Sequence, residues 1–164
     1  MRRLKYVSTA IVFQEVPDEV SLAFNISGCP HHCEGCHSKY LWEYSGEYLI
    51  DNMRCEIEKY KDYITCVCFM GGDQNLDELS EAVQIVKREY GIKVCIYSGL
   101  DSIIPFTETD LLRCLDYIKL GSYKPKFGGL NSPNTNQRFY MITQEPGDGT
   151  LCENITKKFQ KKKE

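Results

Sequence analysis

The apolar positions along the chain change period several times, and each change marks an element. Residues 20–27, VSLAFNIS, form a short apolar run that reads as a strand entering a cysteine-rich loop. From 47 to 63 (EYLIDNMRCEIEKYKDY) the spacing becomes helical, with Leu49, Met53, Ile57 and Tyr60 on one face. ITCVCFM, 64–70, is almost continuously apolar, as expected of a strand covered on both faces, and it runs into Gly71-Gly72. NLDELSEAVQIVKREYG, 75–91, is the clearest helix. Leu76, Leu79, Val83 and Val86 share a face, acids lie in the first turn, Lys87 and Arg88 in the last, and Gly91 stops it. KVCIYSG (93–99) reads as a strand ending in glycine, LLRCL (111–115) as a short helix and YIKLGS (117–122) as a strand. KPKFGGLNSPNTN (124–136) is a loop, and RFYMIT (138–143) reads as the last strand.

Strands alternating with helices predict parallel pairing through right-handed crossovers. With 164 residues the chain falls short of the ~200 at the low end for a closed eight-fold barrel. The expectation is an α/β fold: a partial, open (β/α) barrel of mostly parallel strands, or a small α/β sheet, in a single domain over 1–164. Ligands bind such folds at the carboxyl ends of the strands. The cysteine loop, Gly71-Gly72-Asp73, Ser98-Gly99 and Gly121 all fall at those ends.

Composition narrows the class. Hydrophobic residues make up 42% and the net charge is only −3, which excludes wholesale disorder. No apolar run approaches the ~18 residues of a membrane span, and the basic start lacks the apolar core of a secretory signal. Nine cysteines, an odd number, without such a signal point to a reducing cytoplasm and to metal rather than disulfides. Residues 157–164 hold five lysines and one glutamate, so 1–156 carry a net −7. An acidic body speaks against a nucleic-acid surface, and 157–164 reads as a flexible Lys-rich tail.

The central feature is Gly28-Cys29-Pro30-His31-His32-Cys33-Glu34-Gly35-Cys36, a C-x3-C-x2-C loop. Thiolates hold iron–sulfur clusters, and three in one loop leave one iron of a four-iron cube open to exchangeable chemistry. Zinc bound by the three cysteines and one of His31, His32 or His37 is the alternative, though the second knuckle of structural zinc sites is missing. Gly71 and Gly72 either let the backbone approach a ligand or form a plain turn capped by Asp73. Lys119 interrupts an apolar strand, so it faces either solvent or a site; Arg138, opening a strand, has the same choice. Cys66 and Cys68 share a sheet face and, with Cys95, read as core packing. Cys55, Cys114 and Cys152 have no cysteine neighbours at ligand spacing. His31 and His32 read as exposed loop residues.

The cysteine loop resembles the cluster motif of the radical S-adenosylmethionine (radical SAM) superfamily. MGGDQN (70–75) resembles that superfamily's Gly-Gly-Glu element, with Asp73 as the acid. The Gly-Cys ending of the loop and NSPNTNQRFY (131–140) are similar to the anaerobic ribonucleotide reductase activating proteins. One position departs: many superfamily members carry an aromatic residue before the last cysteine, where this chain has Gly35, and Tyr40 and Trp42 follow the loop instead. The resemblance covers roughly residues 5–160. It implies a [4Fe–4S] cluster on Cys29, Cys33 and Cys36. It also implies S-adenosylmethionine held by Gly71, Gly72, Asp73, Ser98, Lys119, Asn136, Gln137 and Arg138. The implied activity is that of an oxidoreductase. One electron cleaves S-adenosylmethionine, and the 5′-deoxyadenosyl radical takes a glycine α-hydrogen from anaerobic ribonucleoside-triphosphate reductase. Reduced flavodoxin is the implied donor. Two other readings stay open: a radical SAM enzyme on a small molecule, such as a 7-carboxy-7-deazaguanine synthase, and a non-enzymatic metal or electron-transfer module.

Overall fold

The computed structural model describes residues 1–147 and 149–160. Its strands are β1 (Lys5–Val12), β2 (Ser21–Ile26), β3 (Glu47–Tyr48), β4 (Cys66–Met70), β5 (Lys93–Tyr97), β6 (Tyr117–Leu120), β7 (Arg138–Gln144) and β8 (Thr150–Asn154). Its α-helices are α1 (Leu49–Tyr60), α2 (Leu76–Ile85), α3 (Ile104–Thr107) and α4 (Leu111–Cys114). All eight strands join one sheet in the order β3-β1-β2-β4-β5-β6-β7-β8.

The centre of the sheet follows the expected α/β logic. β2, β4, β5 and β6 pair in parallel. Helical segments join β4 to β5 and β5 to β6, as parallel strands require a crossover. The expectation of mostly parallel strands fails at the two flanks. β3–β1, β1–β2, β6–β7 and β7–β8 are antiparallel, four of the seven pairings, so the sheet is mixed. The connections explain it: among the described residues no helix lies between β1 and β2 or between β7 and β8, and strands joined without a crossover run antiparallel. RFYMIT is therefore not the last strand, because β8 lies beyond it. The expected helix 75–91 divides into α2 and a π-helical turn, Val86–Tyr90, closed by Gly91 at φ 62°.

Strand alternation sorts the core into two faces. Leu22, Phe24 and Ile26 of β2, Val67 and Phe69 of β4, and Val94 and Ile96 of β5 pack under the helices with Leu49, Met53, Ile57, Leu79 and Val83. The intervening residues make the opposite face. There Cys66, Cys68, Cys95, Tyr117 and Phe139 are covered by Val16 and Ile155. Burial pushes the Cys66 and Cys95 thiols up, which keeps them protonated and inert. At the carboxyl ends of the parallel strands this second face delivers Asn25, Met70, Tyr97 and Lys119 into one cavity.

The expected Lys-rich tail begins in ordered structure. Thr156–Phe159 form a 3-10 turn, the Phe159 ring packs 5.0 Å from Phe139, and Gln160 donates to the Ser132 carbonyl. Residues 161–164 lie outside the described residues. No helix among those described is long and apolar enough to cross a membrane.

Candidate functional site

The site is built from the loop after β2 and the three strand ends beside it. Cys29, Cys33 and Cys36 line one cavity of about 190 Å³ together with Gly71, Gly72, Asp73, Ser98, Lys119 and Gln137. The loop turns back on itself through left-handed backbone at Gly28 (φ 74°) and Gly35 (φ 72°), and also at His32 (φ 45°), where a side chain makes the conformation costly. Its ends are tied by the Cys29 amide donating to the Leu41 carbonyl and the Cys36 amide to the Cys33 carbonyl.

The geometry at Gly35 accounts for the missing aromatic residue. A Cβ there would lie 3.0 Å from Pro125 Cγ and 3.2 Å from Tyr123 Cε1. The loop after β6 already supplies an aromatic wall at that point, and Tyr123 lines the cavity. Trp42 lines it too and stacks on His32 at 4.5 Å between ring centroids. Tyr40 is exposed and stands outside the cavity.

Asp73 is not a helix cap. Asn75 fills that position, its side-chain oxygen accepting from the Glu78 amide. Asp73 is almost fully buried, at 4% side-chain exposure; its Oδ2 accepts from Ser98 Oγ at 2.5 Å and lies 2.8 Å from His31 Nε2. His31 is thus drawn into the site rather than exposed as the sequence suggested. Gly71 and Gly72 have φ of 111° and 100°, left-handed backbone that keeps this turn to glycine.

Lys119 resolves its two sequence options inward. It is 8% exposed, and Nζ donates to the carbonyls of Gly121 (2.7 Å) and Ser98 (3.3 Å). Burial lowers its pKa to about 8, while nearby acidic groups, Cys33, Asp73 and Cys29 among them, act in the opposite direction. The Asn136-Gln137-Arg138 stretch divides. Gln137 is buried in the cavity wall. Asn136 holds the Ser122 carbonyl through Nδ2, and the exposed Arg138 donates to the Thr135 and Gln137 carbonyls. Neither of these two lines the cavity. Gln74 does, and sequence reasoning passed over it; its position directly after Asp73 was the available signal.

Among the described residues no three His, Cys, Asp or Glu side chains converge on a single ion. A cluster spreads its thiolates over separate irons, so three cysteines around one cavity suit it better than a lone metal. The cavity also holds an unmet hydrogen-bonding need: Gln74 Oε1 is buried without a donor among the described residues. A ligand that brings N–H or O–H groups beside the thiols fits both features.

The comparisons agree with this chemistry. A family model described as a 4Fe-4S single cluster domain matches residues 20–137, and the chain belongs to that family. Over 107 residues it is 29% identical to the anaerobic ribonucleoside-triphosphate reductase-activating protein of Enterobacteria phage T4, an alignment that spans 60% of this chain and 68% of that protein. The likeness to the anaerobic ribonucleotide reductase activating proteins therefore holds. No solved structure matches.

Proposed function

We propose that this chain is an activase dependent on a [4Fe–4S] cluster and S-adenosylmethionine, and that it places a glycyl radical on an anaerobic ribonucleoside-triphosphate reductase. The observation that carries the reading is the convergence of the C-x3-C-x2-C loop and the Gly71-Gly72-Asp73 strand end on one cavity. The activating protein of the phage supplies the reaction class by likeness.

Cys29, Cys33 and Cys36 hold the cluster. The hydrogen bonds of Asp73 among the described residues fall on Oδ2, so Oδ1, with Gln74 Oε1, would accept the ammonium of S-adenosylmethionine. Lys119 faces the cofactor carboxylate, while Ser98 and the turn at Gly71-Gly72 shape the floor. Gln137 closes the wall, and Asn136 and Arg138 brace the loop behind it. Trp42 and Tyr123 keep water from the thiolates. A bound, reduced cluster would supply the one electron that cleaves S-adenosylmethionine to methionine and a 5′-deoxyadenosyl radical, the species that would take the glycine α-hydrogen.

The cavity that would take S-adenosylmethionine is the one the three cysteines line. A second cavity of about 730 Å³ shares Tyr97 with it, giving a protein segment room to enter beside the cofactor. Reduced flavodoxin or a similar carrier supplies electrons, in a cytoplasm kept free of oxygen.

Mixing the reduced protein, S-adenosylmethionine and such a reductase produces a stable radical, seen in paramagnetic resonance as a doublet from the one remaining glycine α-hydrogen. Absence of the doublet from a competent mixture contradicts the reading. Asp73→Ala leaves the cluster in place but weakens S-adenosylmethionine binding by roughly 10- to 150-fold, the worth of a hydrogen bond to a charged group. Equilibrium titration reads this directly, and unchanged affinity removes Asp73 from the binding site.

A further inference from the structure

We infer that His31 is a positioning residue that ties the cluster loop to the acid receiving the cofactor's ammonium; the inference rests on the function proposed above. His31 touches both parts of the site. Its backbone lies in the cysteine loop, between Cys29 and Cys33. Its side chain reaches Asp73 Oδ2 at 2.8 Å. A carboxylate only accepts, so Nε2–H donates.

Among the described residues this is the only side-chain hydrogen bond from 28–37 to a strand end. The imidazole is held in place by Gly99, where a Cβ would lie 2.7 Å from His31 Cδ2 and 2.8 Å from Cγ. Gly99 thus keeps the space that the ring occupies. Ser98 and His31 together fix Oδ2 and leave Oδ1 for a ligand. Without His31 the carboxylate keeps one anchor, and the loop carrying Cys29 and Cys33 loses its link to β4 and β5.

In the cluster-loaded protein, His31→Ala weakens S-adenosylmethionine binding about 10- to 100-fold while iron stays near about four per chain. His31→Gln, whose side-chain amide can donate to Asp73, recovers most of the affinity. Gly99→Ala, which displaces the ring without altering its chemistry, behaves like His31→Ala. In the metal-free chain, hydrogen exchange of the amides of residues 29 and 31–33 speeds up about tenfold in His31→Ala, the equivalent of one lost hydrogen bond, and not in His31→Gln. Wild-type affinity and wild-type exchange in His31→Ala overturn the inference. If the wild-type protein itself binds no S-adenosylmethionine, the proposed function fails, and the exchange experiment still decides whether His31 tethers the loop.

Discussion

Alanine in place of Cys29, Cys33 or Cys36 lowers iron from about four per chain to near zero after anaerobic reconstitution, and acid-labile sulfide falls with it. The effect is total because, in the proposed function, each thiolate would hold a different iron and the loop offers no fourth cysteine to replace a lost one. Cys66, Cys68 and Cys95 are fully buried on the sheet face behind the site, with Val16 and Ile155 over them. Alanine at any of these three costs packing but leaves iron unchanged. Iron is likewise unchanged by alanine at Cys55, exposed on α1, or at Cys114 or Cys152. A Cys33→Ala protein that retained a full cluster would place the metal elsewhere.

The second large effect is on stability. Phe69→Ala lowers the unfolding free energy of the metal-free chain by about 3–5 kcal/mol, read by urea denaturation. Phe69 is completely buried on β4, is paired in register with Phe24 of β2, and packs against that ring with centroids 5.6 Å apart. The substitution removes apolar area and leaves a cavity that the two strands, pinned by their ladder, cannot close. Tyr63→Ala, at a residue 77% exposed, changes stability by less than about 0.5 kcal/mol. A loss at Phe69 no larger than that at Tyr63 would show that the helix-covered face is not the core.

The parts of the fold legible in the sequence were those with strong periodicity or continuous burial. ITCVCFM, 64–70, read as a strand buried on both faces and holds β4 at Cys66–Met70, and the stripe of Leu49, Met53, Ile57 and Tyr60 read as a helix face and lies on α1. The edges were not legible. β1 has a single buried residue, Tyr6, and β8 is largely exposed, so neither has the continuous burial that marks a central strand. Missing them removed the antiparallel flanks and made the sheet look mostly parallel.

At the site, the cysteines and the Gly71-Gly72-Asp73 turn were legible because their spacing is local. Contacts between distant segments were not. His31 meets Asp73 across 42 residues, and Tyr123 fills space beside Gly35 from another loop. Lys119 shows the same limit. Its alternation put it on the face of Tyr117, but β6 is covered on both sides, so periodicity could not tell which face held the site.

The measurement that bears most directly on the central claim follows one hydrogen atom. A reductase deuterated at the α-carbon of its radical glycine is mixed with the reduced protein and S-adenosylmethionine, and the 5′-deoxyadenosine formed is weighed by mass spectrometry. One deuterium is expected in that product, in step with the growth of the glycyl radical signal, and neither with the Cys33→Ala protein. Unlabelled 5′-deoxyadenosine, formed with no radical on the reductase while a small molecule is consumed, contradicts it.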